Sequence, residues 1–105
     1  LSSFYANRYV TYFDAVDVTS AKSGATGITV KWEKCQGADS YLVLRKQDGD
    51  DGYSILTSVS ADKTSFVDKN VSSGEKYTYI VEAFGGPDGK QGSSAPGQSK
   101  TCIAK

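Results

Sequence analysis

The sequence predicts an all-β fold, with seven short strands arranged as two packed sheets. Two stretches carry that prediction. Between Gly74 and Phe84, the residues Tyr77, Tyr79, Val81 and Ala83 alternate with Thr78, Ile80 and Glu82, the period of two of a strand with one buried face. Ile28, Val30 and Trp32 alternate with Thr29, Lys31 and Glu33 in the same way. No window holds apolar residues at helical i, i+3, i+4 spacing, and 11 glycines with many Ser, Thr, Val and Tyr favour turns and strands.

The elements follow in order. Val16 to Ala21 is the expected first strand, with Val16 and Val18 on one face, and Ser23 to Gly27 is turn material. Gln36-Gly37-Ala38-Asp39 ends the Trp32 strand. Tyr41 to Lys46 comes next, with Tyr41 and Val43 on one side and Leu42 and Leu44 on the other. Gln47 to Gly52 reads as an acidic, glycine-rich hairpin loop, and Tyr53 to Val59 and Thr64 to Val67 as shorter strands. Gly74 permits the tight backbone turn of a tyrosine corner, in which the Tyr77 hydroxyl returns to the backbone a few residues upstream. Gly85 to Gly92 is a loop, and Ser99 to Ala104 the final strand.

Composition limits the chemistry. At 105 residues the chain suits one domain, which hides roughly 60–70% of its unfolded surface without metal or disulfide support. Twelve basic and 12 acidic side chains cancel, so no overall field draws the chain to nucleic acid or anionic lipid. No apolar run approaches the roughly 18 residues of a membrane span. There is no His, which removes Ser-His and Cys-His nucleophile pairs and His-ligated metal sites. We therefore expect no enzyme activity and no cofactor. The chain begins at Leu1 rather than Met, and is expected to be a segment of a longer polypeptide.

Three anchors now stand in order. Ile28-Thr-Val-Lys-Trp32, Gly37-Ala-Asp-Ser-Tyr41-Leu-Val43 and Val71-Ser-Ser-Gly74-Glu-Lys-Tyr77, followed by Tyr79, Val81 and Ala83, resemble a fibronectin type III domain over about Val16 to Ala104. The Gly-Ala-x-x-Tyr phrasing and Thr64-Ser-Phe66-Val-Asp68 are most similar to modules of secreted bacterial enzymes and surface proteins. The resemblance implies a two-sheet immunoglobulin-like sandwich of fibronectin type III topology for residues 16–105, preceded by an aromatic-rich leader or inter-domain linker at 1–15. An immunoglobulin domain proper fits less well, because it places its core Trp on strand C whereas Trp32 lies on B. Ser73 stands where the family often has Pro, so a looser corner turn is expected. The implied topology sets Cys35 and Cys102 near opposite poles, and two unbridged thiols are expected. The implied role is a non-catalytic spacer or interaction module of a larger secreted or cell-surface protein. Its implied partners are the neighbouring domains, with a protein or polysaccharide ligand as a further candidate and no membrane insertion.

Candidate sites are few. Asp48-Gly49-Asp50-Asp51-Gly52 offers carboxylates for calcium, but Gly52 and Val59 occupy positions where an EF-hand loop needs acidic ligands, and a solvated turn is the expectation. Gly85 to Lys90 lacks the Arg-Gly-Asp tripeptide that some animal members of the family carry there. Glu33, Glu75 and Glu82 occupy outward strand positions with no evident cleft for glycoside hydrolysis. Asn70-Val71-Ser72 is a glycosylation sequon, irrelevant if the source is bacterial. The most suggestive pairing joins the leader to one sheet. Phe4, Tyr5, Tyr9, Tyr12 and Phe13 are five of the 12 aromatics, and Leu42, Leu44 and Ile80 point away from the core face. An inter-module contact through Tyr9, Tyr12, Phe13, Leu42, Leu44 and Ile80 is one reading; the other makes Arg8 to Phe13 the last strand of an upstream domain. A carbohydrate-binding module using Tyr9, Tyr12 and Tyr53 is the alternative function, with Tyr53 expected partly buried under a sheet edge.

Overall fold

The computed structural model describes residues 15–85, 92–94 and 97–105. Eight strands run in chain order: β1 (Val18–Gly24), β2 (Gly27–Trp32), β3 (Ser40–Gln47), β4 (Ser54–Ser60), β5 (Ser65–Asp68), β6 (Lys76–Gly85), β7 (Gly92–Ser93) and β8 (Lys100–Ile103). One sheet has three strands in the order β1-β2-β5. The other has five, in the order β4-β3-β6, with β7 and β8 both against β6. β7 opposes Phe84 and Gly85 while β8 opposes Lys76 to Tyr79, so the two are halves of a single strand position along β6. The architecture is the predicted two-sheet sandwich of seven strand positions, the seventh divided.

Period-two alternation fills the space between the sheets. Ile28, Val30 and Trp32 from one sheet and Tyr41, Val43, Tyr77, Tyr79, Val81 and Ala83 from the other form one buried cluster. Burying side chains of this size stabilises the fold by roughly 1.5–3 kcal/mol each. The Trp32 and Tyr41 rings meet edge to face across the layers at 5.7 Å and 63°. That geometry adds about 0.5–1.5 kcal/mol to their area burial.

The first strand departs from expectation. Val16 is buried as anticipated, but its backbone bridges to Val81 in the five-stranded sheet, filling the gap along β6 between β7 and β8. The Val16 carbonyl accepts from Gly97 N at 3.1 Å, and Val18 N donates to Gln98 O at 2.9 Å. β1 then begins at Val18 and runs on to Gly24. Alternation thus marked Val16 and Val18 as interior, but not that the chain changes sheets between them. β1 and β2 are joined through Ala25 and Thr26. At the start of β2, Gly27 has φ 142°, and a side chain there would run into the Asp68 carbonyl. Only a glycine lets these two backbones approach so closely.

A register shift between Val43 and Leu44 sets the faces of β4. It places Leu44 opposite Ile55 and turns Leu56 toward the core. β4 begins at Ser54, which leaves Tyr53 in the preceding loop, 39% exposed rather than tucked beneath an edge. The cysteines lie as the topology implied, with no bridge between them. Cys102 pairs with Tyr77, whereas Cys35 N bonds the hydroxyl of Tyr41, whose strand partner is Ala83. From Tyr77 to Ala83 the strand rises about 20 Å, far beyond the reach of a disulfide.

Candidate contact surfaces

Trp32 Nε1 is buried without a hydrogen-bond partner among the described residues, but the buried carboxylate is consumed by structure. Asp68, at the end of β5, is 1% exposed and accepts from Tyr79 Oη at 2.6 Å, Arg45 Nη1 at 2.9 Å and Asn70 N at 3.2 Å. Arg45 Nη1 also donates to Asn70 O at 2.9 Å, and its guanidinium lies 5.1 Å from the Tyr77 ring centre. Burial, and then the hydrogen bond to the Asp68 carboxylate, push the Tyr79 phenol well above its ordinary value of 10.0. A charge so fully paired holds a fold together and offers no free acid or base.

Two further tyrosine hydroxyls tie loops to strands. Ser72 N donates to Tyr77 Oη at 2.8 Å, closing the corner anticipated from Gly74, whose φ is 86°. Ser73 does not undo it, since Glu75 N still closes the turn on Ser72 O at 3.1 Å. Cys35 N donates to Tyr41 Oη at 2.7 Å, so the loop after β2 is held in the same manner. In the acidic hairpin, Asp50 Oδ2 accepts from Gln47 N at 3.0 Å, which gives that carboxylate a turn-closing role.

The outward face of the five-stranded sheet holds the apolar strip expected from sequence. Leu44 stands directly opposite Ile80, and Leu42 opposite Glu82. Ile80 lies in a central strand and is only 8% exposed, while Leu42 and Leu44 are half-buried. The strip is therefore more enclosed than its outward positions suggested. Its open margin is Ile55, 65% exposed beside Leu44; Ile103, 57% exposed opposite Lys76, lies apart from it beyond the Thr78–Thr101 pair. Ile55 went unnoticed in sequence because the register shift, and not simple alternation, assigns its face. Glu82 sits next to Leu42, and burial raises its carboxyl above the ordinary 4.5. Tyr9, Tyr12 and Phe13 lie outside the described residues, as does most of the 1–15 segment. Of the three tyrosines expected to serve a carbohydrate-binding role, Tyr53 alone falls within the described residues.

No protein-family model and no curated protein matches the chain. Solved structures do. An Fn3-like protein from Clostridium thermocellum superposes with a TM-score of 0.64 at 21% identity, covering 89% of this chain and 91% of that one. FN3tt mut gives 0.63 at 20% identity, covering 89% and 94%. The fold is that of a fibronectin type III domain. A β-1,2-glucanase from Parabacteroides distasonis contains a similar unit, with a TM-score of 0.75 at 22% identity over 88% of this chain. The match takes up 13% of the glucanase, so this fibronectin type III-like chain spans a small part of that protein.

Proposed function

We propose that this fibronectin type III-like chain is a non-catalytic module that spaces and orients neighbouring domains of a longer secreted or cell-surface polypeptide. The observation that carries the reading is the path of the chain through the sandwich. Val16 and Asp17 lie beside the Trp32–Glu33 end of β2, whereas Lys105 N bonds Ser23 Oγ near the opposite end of β1. These ends are separated by the length of a seven-residue strand, roughly 20 Å. A module threaded in this way transmits a fixed offset between whatever flanks it.

The contact with a neighbour is assigned to the strip of Leu42, Leu44 and Ile80, extended by Ile55, with Tyr9, Tyr12 and Phe13 as the leader's contribution. In the parent polypeptide, Leu44→Lys with Ile55→Lys should loosen the angle between this module and its neighbour. Small-angle scattering would show a broader distance distribution, with each domain still folded. An unchanged distribution would refute the assigned contact. Retention of the isolated chain by a neutral β-glucan in a native gel, lost on Tyr53→Ala, would favour the carbohydrate-binding alternative, for which the half-exposed Tyr53 and the glucanase neighbour speak.

A further inference from the structure

The outward face of the three-stranded sheet differs in character from the strip on the opposite side. Strand register places Lys22 opposite Thr29 and Ser20 opposite Lys31. β5 adds Val67 beside Thr29 and Ser65 beside Lys31. Lys22 and Lys31 are thus diagonal neighbours on one face, about 7–8 Å apart along the pleat, and neither forms an ion pair among the described residues. They line a shallow hollow of about 300 Å³ with Ser20, Ser23, Thr26 and Thr29. No Asp or Glu among the described residues lines it. A second hollow of about 120 Å³ wraps the β1–β2 turn, shares Ser23 and Thr26 with the first, and adds Lys69 and Lys105. In a chain whose charges cancel overall, Lys22, Lys31, Lys69 and Lys105 line these two hollows, and among the described residues no Asp or Glu side chain does.

We propose that this face binds an acidic polysaccharide, with Lys22 and Lys31 as its principal charged contacts and Lys69 and Lys105 extending the contact around the hairpin. Lysines spread over two adjoining hollows, two on the sheet and two beyond its strands, suit a repeating anion better than a single one. The Ser and Thr hydroxyls lining the hollow both donate and accept, as sugar hydroxyls require. Among the described residues, no aromatic ring lines either hollow. A neutral sugar would therefore lack a ring to stack on, and so would a nucleic-acid base. The charge on the sugar is what this surface recognises.

Affinity electrophoresis of the 105-residue chain in gels containing polygalacturonate or neutral dextran tests the proposal. Two variants of equal net charge are compared: Lys22→Gln with Lys31→Gln, and Lys46→Gln with Lys76→Gln on the other sheet. Trp32 fluorescence checks that each is folded. The expected result is retardation by polygalacturonate and not by dextran, about tenfold weaker for the Lys22/Lys31 variant and unchanged for the Lys46/Lys76 variant. Equal weakening in both variants would reveal diffuse charge attraction and overturn the site. Absence of retardation would overturn it outright, and equal competition by single-stranded nucleic acid would overturn the ligand class. None of these outcomes bears on the spacer reading, which rests on the opposite sheet and the chain path.

Discussion

The Tyr79 hydroxyl donates to Asp68 Oδ2 at 2.6 Å, joining the middle of the five-stranded sheet to the last residue of the three-stranded one. Apolar packing between layers is non-directional. This bond is directional, and with Arg45 and Asn70 it fixes how the sheets sit on each other. Removing the carboxylate with Asp68→Ala leaves the Arg45 charge and the Tyr79 hydroxyl unpaired, and should cost about 3–5 kcal/mol. Tyr79→Phe spares the Arg45–Asp68 pair and should cost about 1–2 kcal/mol. Urea denaturation followed by Trp32 fluorescence measures both. Equal losses would show that the hydroxyl, and not the ion pair, carries the network.

The same bond makes stability depend on alkaline pH. Burial and Asp68 raise the Tyr79 phenol above 10.0 in the folded state. A group raised on folding contributes stability that is complete below its unfolded value and is lost as pH rises through its folded one. The stabilisation from Tyr79 should therefore be full at neutral pH and decline from about pH 10 upward. The wild-type advantage over Tyr79→Phe should shrink across that range in urea melts. A constant difference between the two chains would contradict this origin.

Tyr77 and Tyr41 hold loops by accepting from Ser72 N and Cys35 N. Tyr77→Phe and Tyr41→Phe each leave a partly buried amide without its acceptor, at a cost of about 1–2 kcal/mol. Hydrogen exchange separates the local effect from the global one. The Ser72 amide should exchange faster in Tyr77→Phe but not in Tyr41→Phe, and the Cys35 amide should show the reverse.

How much of this was legible in sequence depends on how local the signal is. Ile28, Val30, Trp32, Tyr77, Tyr79 and Val81 announced themselves by alternation, because each strand is buried on one face. Gly74 three residues before Tyr77 announced the corner. The Asp68 network did not, since its members are 11 and 23 residues apart. A signal was nonetheless present: Arg45 shares the parity of Tyr41 and Val43, so an inward cation required a buried partner. Ile55 was hidden by the register shift opposite Val43 and Leu44. The Lys22–Lys31 diagonal needs the β1–β2 register, which neither strand encodes alone.

Glu82 occupies an outward position on β6, yet burial raises its carboxyl above 4.5. The raised value means that the ionised form is disfavoured in the folded chain relative to the unfolded one. Stability associated with this group is therefore complete below its unfolded value and falls as pH rises through the folded one, which leaves a penalty at neutral pH. Glu82→Gln keeps the shape and removes the charge, so it should raise the melting temperature at pH 7. The gain should fade as the buffer is taken below about pH 4, where the wild-type carboxyl is itself neutral. Melting curves of both chains across that range check the sign. A gain that persists in acid would point to packing at Leu42 in place of desolvation, and a lower melting temperature at neutral pH would mean that the carboxylate is a stabilising contact.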